Sequence, residues 1–145
     1  MTNISLKNLT KVYDRAKEAA VDDLNLEIRA GELVAFLGPS GCGKTTTLKM
    51  IAGLHPVTSG EVLFNGKSVN HIKPERREVV MVYQNYLLFP YMNVEENIGF
   101  GLKMRHMEKE EIKRRVDEML SLVKLEGFGK RKPHELSGGQ KQRVA

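Results

Sequence analysis

The chain has 145 residues, 41% of them hydrophobic and 28% charged, and a formal net charge of +5 at neutral pH. That length holds one domain with a real core, and the composition is the ordinary balance of a soluble globular protein. No apolar run approaches the ~18 residues a membrane helix needs, and the start lacks the basic and apolar regions of a secretory signal, so none is expected.

Cys42 is the single cysteine, which excludes an internal disulfide and fits a reducing compartment. The lysines and arginines are interspersed with Asp and Glu, so the positive charge reads as a solvated mixed surface, not a nucleic-acid or lipid face. Neither internal repeats nor a low-complexity linker interrupts the chain.

In chain order, ISLKNLTKVY alternates apolar and polar residues as a half-buried strand does, and residues 24–28 (LNLEI) do so again before a turn at RAG. Residues 33–37 form a continuous apolar run, which predicts a strand buried on both faces as in a parallel sheet. The period changes over residues 44–54. Leu48, Ile51 and Ala52 fall at i, i+3 and i+4 of a helix that Gly53 and Pro56 stop.

EVLFNG, residues 61–66, predicts a short strand running into an Asn-Gly turn. Residues 79–83 (VVMVY) read as a second fully apolar strand. NVEENIGFGLKM opens as a helix capped by Asn93, with Glu96 three residues on as in a capping box. Over residues 108–125, Ile112, Val116, Met119, Leu120 and Val123 line one helical face. Glu110 and Glu111 precede Arg114 and Arg115 by four, and Gly127 ends the helix. Strands alternating with helices predict an α/β fold with antiparallel strands near the N-terminus.

Gly38, Gly43, Lys44 and Thr45 match G-x-x-x-x-G-K-[ST] between the apolar run and the helix. Glycines let successive backbone N–H groups point at one anion, and no Cβ obstructs its approach. The helix that follows adds its positive end. Lys44 is placed to reach the β- and γ-phosphates of a nucleotide, and the Thr45 hydroxyl to ligate Mg²⁺. Cys42 in the same loop reads either as a small filler or as a thiol that bound nucleotide shields from alkylation.

A second motif, LSGGQ at residues 136–140, places two adjacent glycines at another helix start with Ser137 beside them. With both motifs present, the sequence resembles the nucleotide-binding subunits of ABC transporters over its whole length. The likeness is greatest to the ATPase subunits of bacterial and archaeal sugar importers, in GPSGCGKTTTLKMIAGL, MVYQNYLLFPYMNVEENIGFGLKMR and LSGGQKQRVA.

The resemblance implies an ABC-type P-loop NTPase fold, truncated, with a nucleotide-binding core over residues 1–84 and a helical subdomain with LSGGQ over 85–145. It implies that Tyr13 stacks on adenine. Gly38, Ser40 and the backbone of Gly41, Cys42, Gly43 and Lys44 wrap the phosphates. Thr45 holds Mg²⁺, and Thr46 contacts the α-phosphate. Gln84 reaches the metal and the attacking water. Ser137, Gly138, Gly139 and Gln140 face the γ-phosphate of ATP held by the P-loop of a second copy. ATP and Mg²⁺ are the implied ligands, and a head-to-tail homodimer is the implied working form. Residues 87–92 (LLFPYM) are expected to lie in a groove for integral membrane permease subunits, at the cytoplasmic face of the plasma membrane.

Family members continue past the final Ala145 with an apolar strand ending in Asp-Glu and later a histidine loop. This chain is therefore expected to be the N-terminal part of an ATPase and inactive alone, with apolar strands left open to self-association. A soluble ABC ATPase acting on nucleic acid or ribosomes is the alternative. The importer-like residues after Gln84 and the lack of an arginine-rich insertion weigh against it. A non-enzymatic nucleotide-binding module is a third reading. Sugar is the first expectation for cargo, with polyamine and ferric iron open. His55, His71, His106 and His134 lack metal-ligand spacing, and KPERR at residues 73–77 reads as an exposed loop.

Overall fold

Alternating burial along Ile4–Lys11 (β1) and Val21–Ile28 (β2) sets one face of an antiparallel pair against a core, in register Ile4 to Ile28 and Leu6 to Leu26. The computed structural model describes residues 2–14 and 16–145. On its other edge β1 pairs antiparallel with Ser59–Phe64 (β3), and the short Lys67–Ser68 (β4) completes the order β2-β1-β3-β4. The β3–β4 turn is Asn65-Gly66 with both φ positive, 48° and 76°, as predicted from the dipeptide. β1 bulges near Asn8, which has φ 48° and donates from its side chain to Asp23 at 2.7 Å. Opposite it, Gly60 is obligatory, because a Cβ there would stand 2.2 Å from the Asn8 carbonyl oxygen.

The helix Lys44–Ile51 (α1) belongs to the same unit, Met1–Met81. Met50 and Ile51 join Leu6, Leu9, Val21, Val62 and Val69 in one core. Each fully buried chain of this kind contributes roughly 1.5–3 kcal/mol. The buried face is Thr47, Met50 and Ile51 with Ala52, whereas Leu48, expected inside, is 43% exposed.

The two apolar runs differ more sharply from expectation. Residues 33–37 and 79–83 form no strand, and Leu33, Leu37 and Val80 are 97%, 90% and 89% exposed. No segment among the described residues pairs with either run, and an extended backbone becomes a sheet strand only when a neighbour takes its N–H and C=O groups.

The second unit, Val82–Ala145, is helical: Val94–Met104 (α2), Lys109–Leu122 (α3) and Gly138–Val144 (α4). Val94, Val116, Leu120, Leu125, Leu136 and Val144 form its core. Gly99 lets α2 and α3 approach, since a Cβ there would meet the Ile112 and Val116 methyls at 3.2 and 3.4 Å. The Asn93/Glu96 capping box forms as predicted, with both bonds at 2.8 Å. Met119 is 42% exposed and off the buried face. Arg115 pairs with Glu111 at i,i+4, while Arg114 takes Glu111 and Glu118 instead of Glu110. The α3 helix stops earlier than Gly127, at Leu122, and Lys124, with φ 55°, turns the chain.

Candidate functional site

The glycine-rich loop turns at Gly38, Gly41 and Gly43, with φ of 148°, 85° and 89°. Gly43 is the N-cap of α1, and its missing Cβ is required. An atom there would lie 2.4 Å from the Ala20 carbonyl oxygen and 3.0 Å from a Val21 methyl. At Gly41 a Cβ would meet nothing within 4 Å, so the middle of the loop faces open space. Thr47 ties the base of the loop to the helix, its hydroxyl donating to the Gly43 carbonyl at 3.0 Å.

Lys44 curls over this loop. Its ammonium donates to the carbonyls of Gly38 at 2.7 Å and Pro39 at 2.6 Å, and stands 3.4 Å from Cys42 Sγ. A cation is thus held at the mouth of the glycine loop by neutral carbonyl acceptors, weaker partners for an ammonium than charged oxygens. Ser40, Gly41, Cys42 and Thr45 are exposed, and Lys44 and Thr46 are half-buried. Thr45 presents a hard oxygen donor on the first turn of α1. Among the described residues no group of three His, Cys, Asp or Glu side chains converges as a metal centre.

Tyr13 is brought to the same end of the unit. Its hydroxyl lies 3.1 Å from that of Thr46, and its ring is 39% exposed. Two side chains to which the sequence assigns no part in this site, Lys11 and the histidine set aside as a metal ligand, hold the ring. His55 meets it edge-on at 5.8 Å, and Lys11 Nζ lies 5.3 Å from its centroid while donating to the Pro56 carbonyl at 2.8 Å. The i, i+2 spacing of Lys11 and Tyr13 was the one available signal.

Gln84, Ser137, Gly138, Gly139 and Gln140 belong to the helical unit. Gln84 is exposed, in a turn that the Tyr86 amide closes onto the Tyr83 carbonyl at 3.1 Å. Ser137 and Gln140 form a reciprocal cap on α4. The Ser137 hydroxyl accepts from the Gln140 amide at 3.3 Å, and Gln140 Oε1 accepts from the Ser137 amide at 2.8 Å. Nothing would meet a Cβ at Gly138 or Gly139 within 4 Å. In residues 87–92, Leu88 packs on the core while Leu87, Phe89 and Tyr91 are 62%, 44% and 91% exposed. Asn97, also missed from sequence, holds this segment through four hydrogen bonds with Phe89, Met92 and Asn93.

The family model described as ABC transporter matches residues 21–145. The chain is 51% identical over 145 residues to the oligosaccharides import ATP-binding protein MsmX of Bacillus subtilis (strain 168), covering 100% of this chain and 40% of that protein. It is 53% identical over 144 residues to the spermidine/putrescine import ATP-binding protein PotA of Acidothermus cellulolyticus, covering 98% and 38%. Among solved structures it is similar to the ATP-binding cassette MJ0796, a dimer in a post-hydrolysis state bound to ADP and Pi. That match has a TM-score of 0.85 at 37% identity, over 97% of this chain and 66% of that one. The chain thus spans about 40% of the length of the curated relatives it matches.

Proposed function

The chain belongs to the ABC transporter family, and from that premise we propose that it is the ATP-binding part of an importer subunit that couples ATP binding and hydrolysis to solute uptake. The observation that carries this is Lys44, whose ammonium sits on the carbonyls of Gly38 and Pro39 in a glycine loop at the head of α1. Lys44 leaves those carbonyls for the β- and γ-phosphates, which are better acceptors. The amides of residues 40–44 surround the same oxygens, and Thr46 takes the α-phosphate. The Thr45 hydroxyl would give Mg²⁺ one hard oxygen ligand, and the metal would neutralise charge on the phosphates. Tyr13 stacks on adenine, steadied by His55 and Lys11.

By family likeness, Gln84 would be the residue that serves the metal and the attacking water. Ser137, Gly138, Gly139 and Gln140 face the γ-phosphate bound by a second copy, in a head-to-tail homodimer. The backbone amides at the head of α4 gain their anionic partner only when that phosphate is present, so nucleotide shifts the dimer between closed and open forms. The dimeric cassette among the solved relatives supports this reading. Membrane-embedded subunits dock against residues 87–92, which puts the protein on the cytoplasmic face of the membrane. Sugar is the cargo favoured by overall likeness. Relatives named for spermidine and putrescine import keep polyamines beside it.

Calorimetric titration of the complete gene product with Mg-ATP tests the core of the proposal. Saturable uptake is expected, lost in Lys44→Ala, and bound ATP is expected to slow alkylation of Cys42. No uptake by a folded protein, or uptake that Lys44→Ala leaves unchanged, overturns it.

A further inference from the structure

Arg77 carries a positive charge into the interior of the sheet-bearing unit. It is 7% exposed, and burial lowers its pKa from the usual guanidinium value, yet guanidinium stays protonated in proteins. Every partner the structure gives it is a backbone carbonyl. Nη1 donates to Met50 at 2.9 Å and Ile51 at 3.1 Å, the last turn of α1. Nε donates to Ile72 at 2.9 Å, and Nη2 to Asn70 at 3.4 Å.

The last carbonyls of a helix have no partner within it, and a cation placed there also meets the negative end of the helix dipole. Arg77 supplies the cation and a partner for both carbonyls, Met50 sharing its oxygen with the Gly53 amide at 3.1 Å. It also fastens that helix end to a segment hydrogen-bonded to β3. Asn70 accepts from the Val62 amide at 3.0 Å and donates to the Gly60 carbonyl at 3.0 Å, which locks the 70–72 turn to β3. The helix so bolted is only eight residues long, and its other end is the phosphate-binding loop.

We infer that Arg77 is a positioning residue for nucleotide binding: by clamping the C-terminal end of α1 to β3 through the 70–72 turn, it sets where Gly43, Lys44 and Thr45 stand at the opposite end. Glycine at position 53 belongs to the same device. Its φ is 78°, and a Cβ there would sit 2.5 Å from Arg77 Nε and 2.7 Å from Cζ, inside the guanidinium's place.

The inference rests on the nucleotide reading of the loop, so the experiment separates the two. In the complete gene product, Mg-ATP dissociation constants are measured well below each variant's melting temperature for wild type, Lys44→Ala, Arg77→Lys, Arg77→Met and Gly53→Ala. Loss of binding in Lys44→Ala upholds the loop. Arg77→Lys keeps the charge but cannot bridge both segments, and is expected to weaken Mg-ATP by about tenfold, the scale of a lost buried charged hydrogen bond. Gly53→Ala is expected to weaken it similarly, and to add nothing further when combined with Arg77→Met. A residue that only holds the fold together lowers the melting temperature and leaves the affinity of the folded protein alone. Wild-type affinity in folded Arg77→Lys, or additive losses in the double variant, overturns the positioning role even where Lys44→Ala behaves as expected.

Discussion

Tyr13 and Thr46, thirty-three residues apart in sequence, meet hydroxyl to hydroxyl at 3.1 Å. In the proposed reading Tyr13 meets the base and Thr46 the α-phosphate, so nucleotide would compete with this bond for both hydroxyl-bearing side chains. Tyr13→Phe keeps the stacking face and frees Thr46, and is expected to leave Mg-ATP affinity unchanged or slightly improved. Tyr13→Ala removes the ring and is expected to cost about 1–3 kcal/mol of binding. Fluorescent-ATP titration distinguishes them, and wild-type affinity in the alanine variant removes Tyr13 from the base site.

Gly41 and Gly43 share nearly the same φ, 85° and 89°, but have different surroundings. Alanine at 41 meets only the cost of a left-handed L-residue, about 1 kcal/mol. Alanine at 43 adds a 2.4 Å collision with the Ala20 carbonyl, which joins the loop to the entry of β2. The expected loss there exceeds about 2 kcal/mol. Denaturant unfolding monitored on the sheet-bearing unit compares the two directly; equal losses mean that the Ala20 segment yields without cost.

Features written in neighbouring residues were legible in the sequence. The Asn65-Gly66 turn, the Asn93/Glu96 capping box and the glycine conformations of the 38–43 loop each depend on a few consecutive positions. What escaped depends on partners far along the chain. KPERR reads as solvent-exposed, yet Arg77 is buried because the carbonyls that accept it belong to Met50 and Ile51, more than twenty residues earlier. Residues 33–37 have the composition of a buried strand, but composition does not supply the adjacent strand that pairs with them. In α1 the helical phase was read one residue off at Leu48, because two turns contain too few apolar residues to define a stripe.

The exposure of those unpaired runs has a measurable result. Leu33, Leu37 and Val80 offer apolar side chains beside backbone groups free to pair, the combination that drives edge-to-edge association. The 145-residue chain alone is expected to self-associate as its concentration rises, and Leu33→Lys with Leu37→Lys to suppress this. Light scattering that reports a monomer throughout the concentration series refutes the expectation.

Asn97 ties residues 89–93 to α2 with every group its side chain has. Oδ1 accepts from the Phe89 amide at 2.8 Å, while Nδ2 donates to the carbonyls of Phe89, Met92 and Asn93 at 3.2, 3.1 and 2.9 Å. The Phe89 ring it presents lies 4.5 Å from that of Phe100 and remains 44% exposed. An exposed aromatic on a rigidly held loop suits a docking surface better than a core. Phe89→Asp changes that surface without touching the hydrogen bonds; Asn97→Ala releases the loop, at about 1–3 kcal/mol of unit stability. On the proposed importer reading, both are expected to weaken co-purification with membrane-embedded partner subunits while Mg-ATP affinity holds, because neither residue lies in the unit that carries Lys44. Should Phe89→Asp retain full assembly, the partner contact must lie elsewhere, and the bonds of Asn97 are left with only a structural purpose.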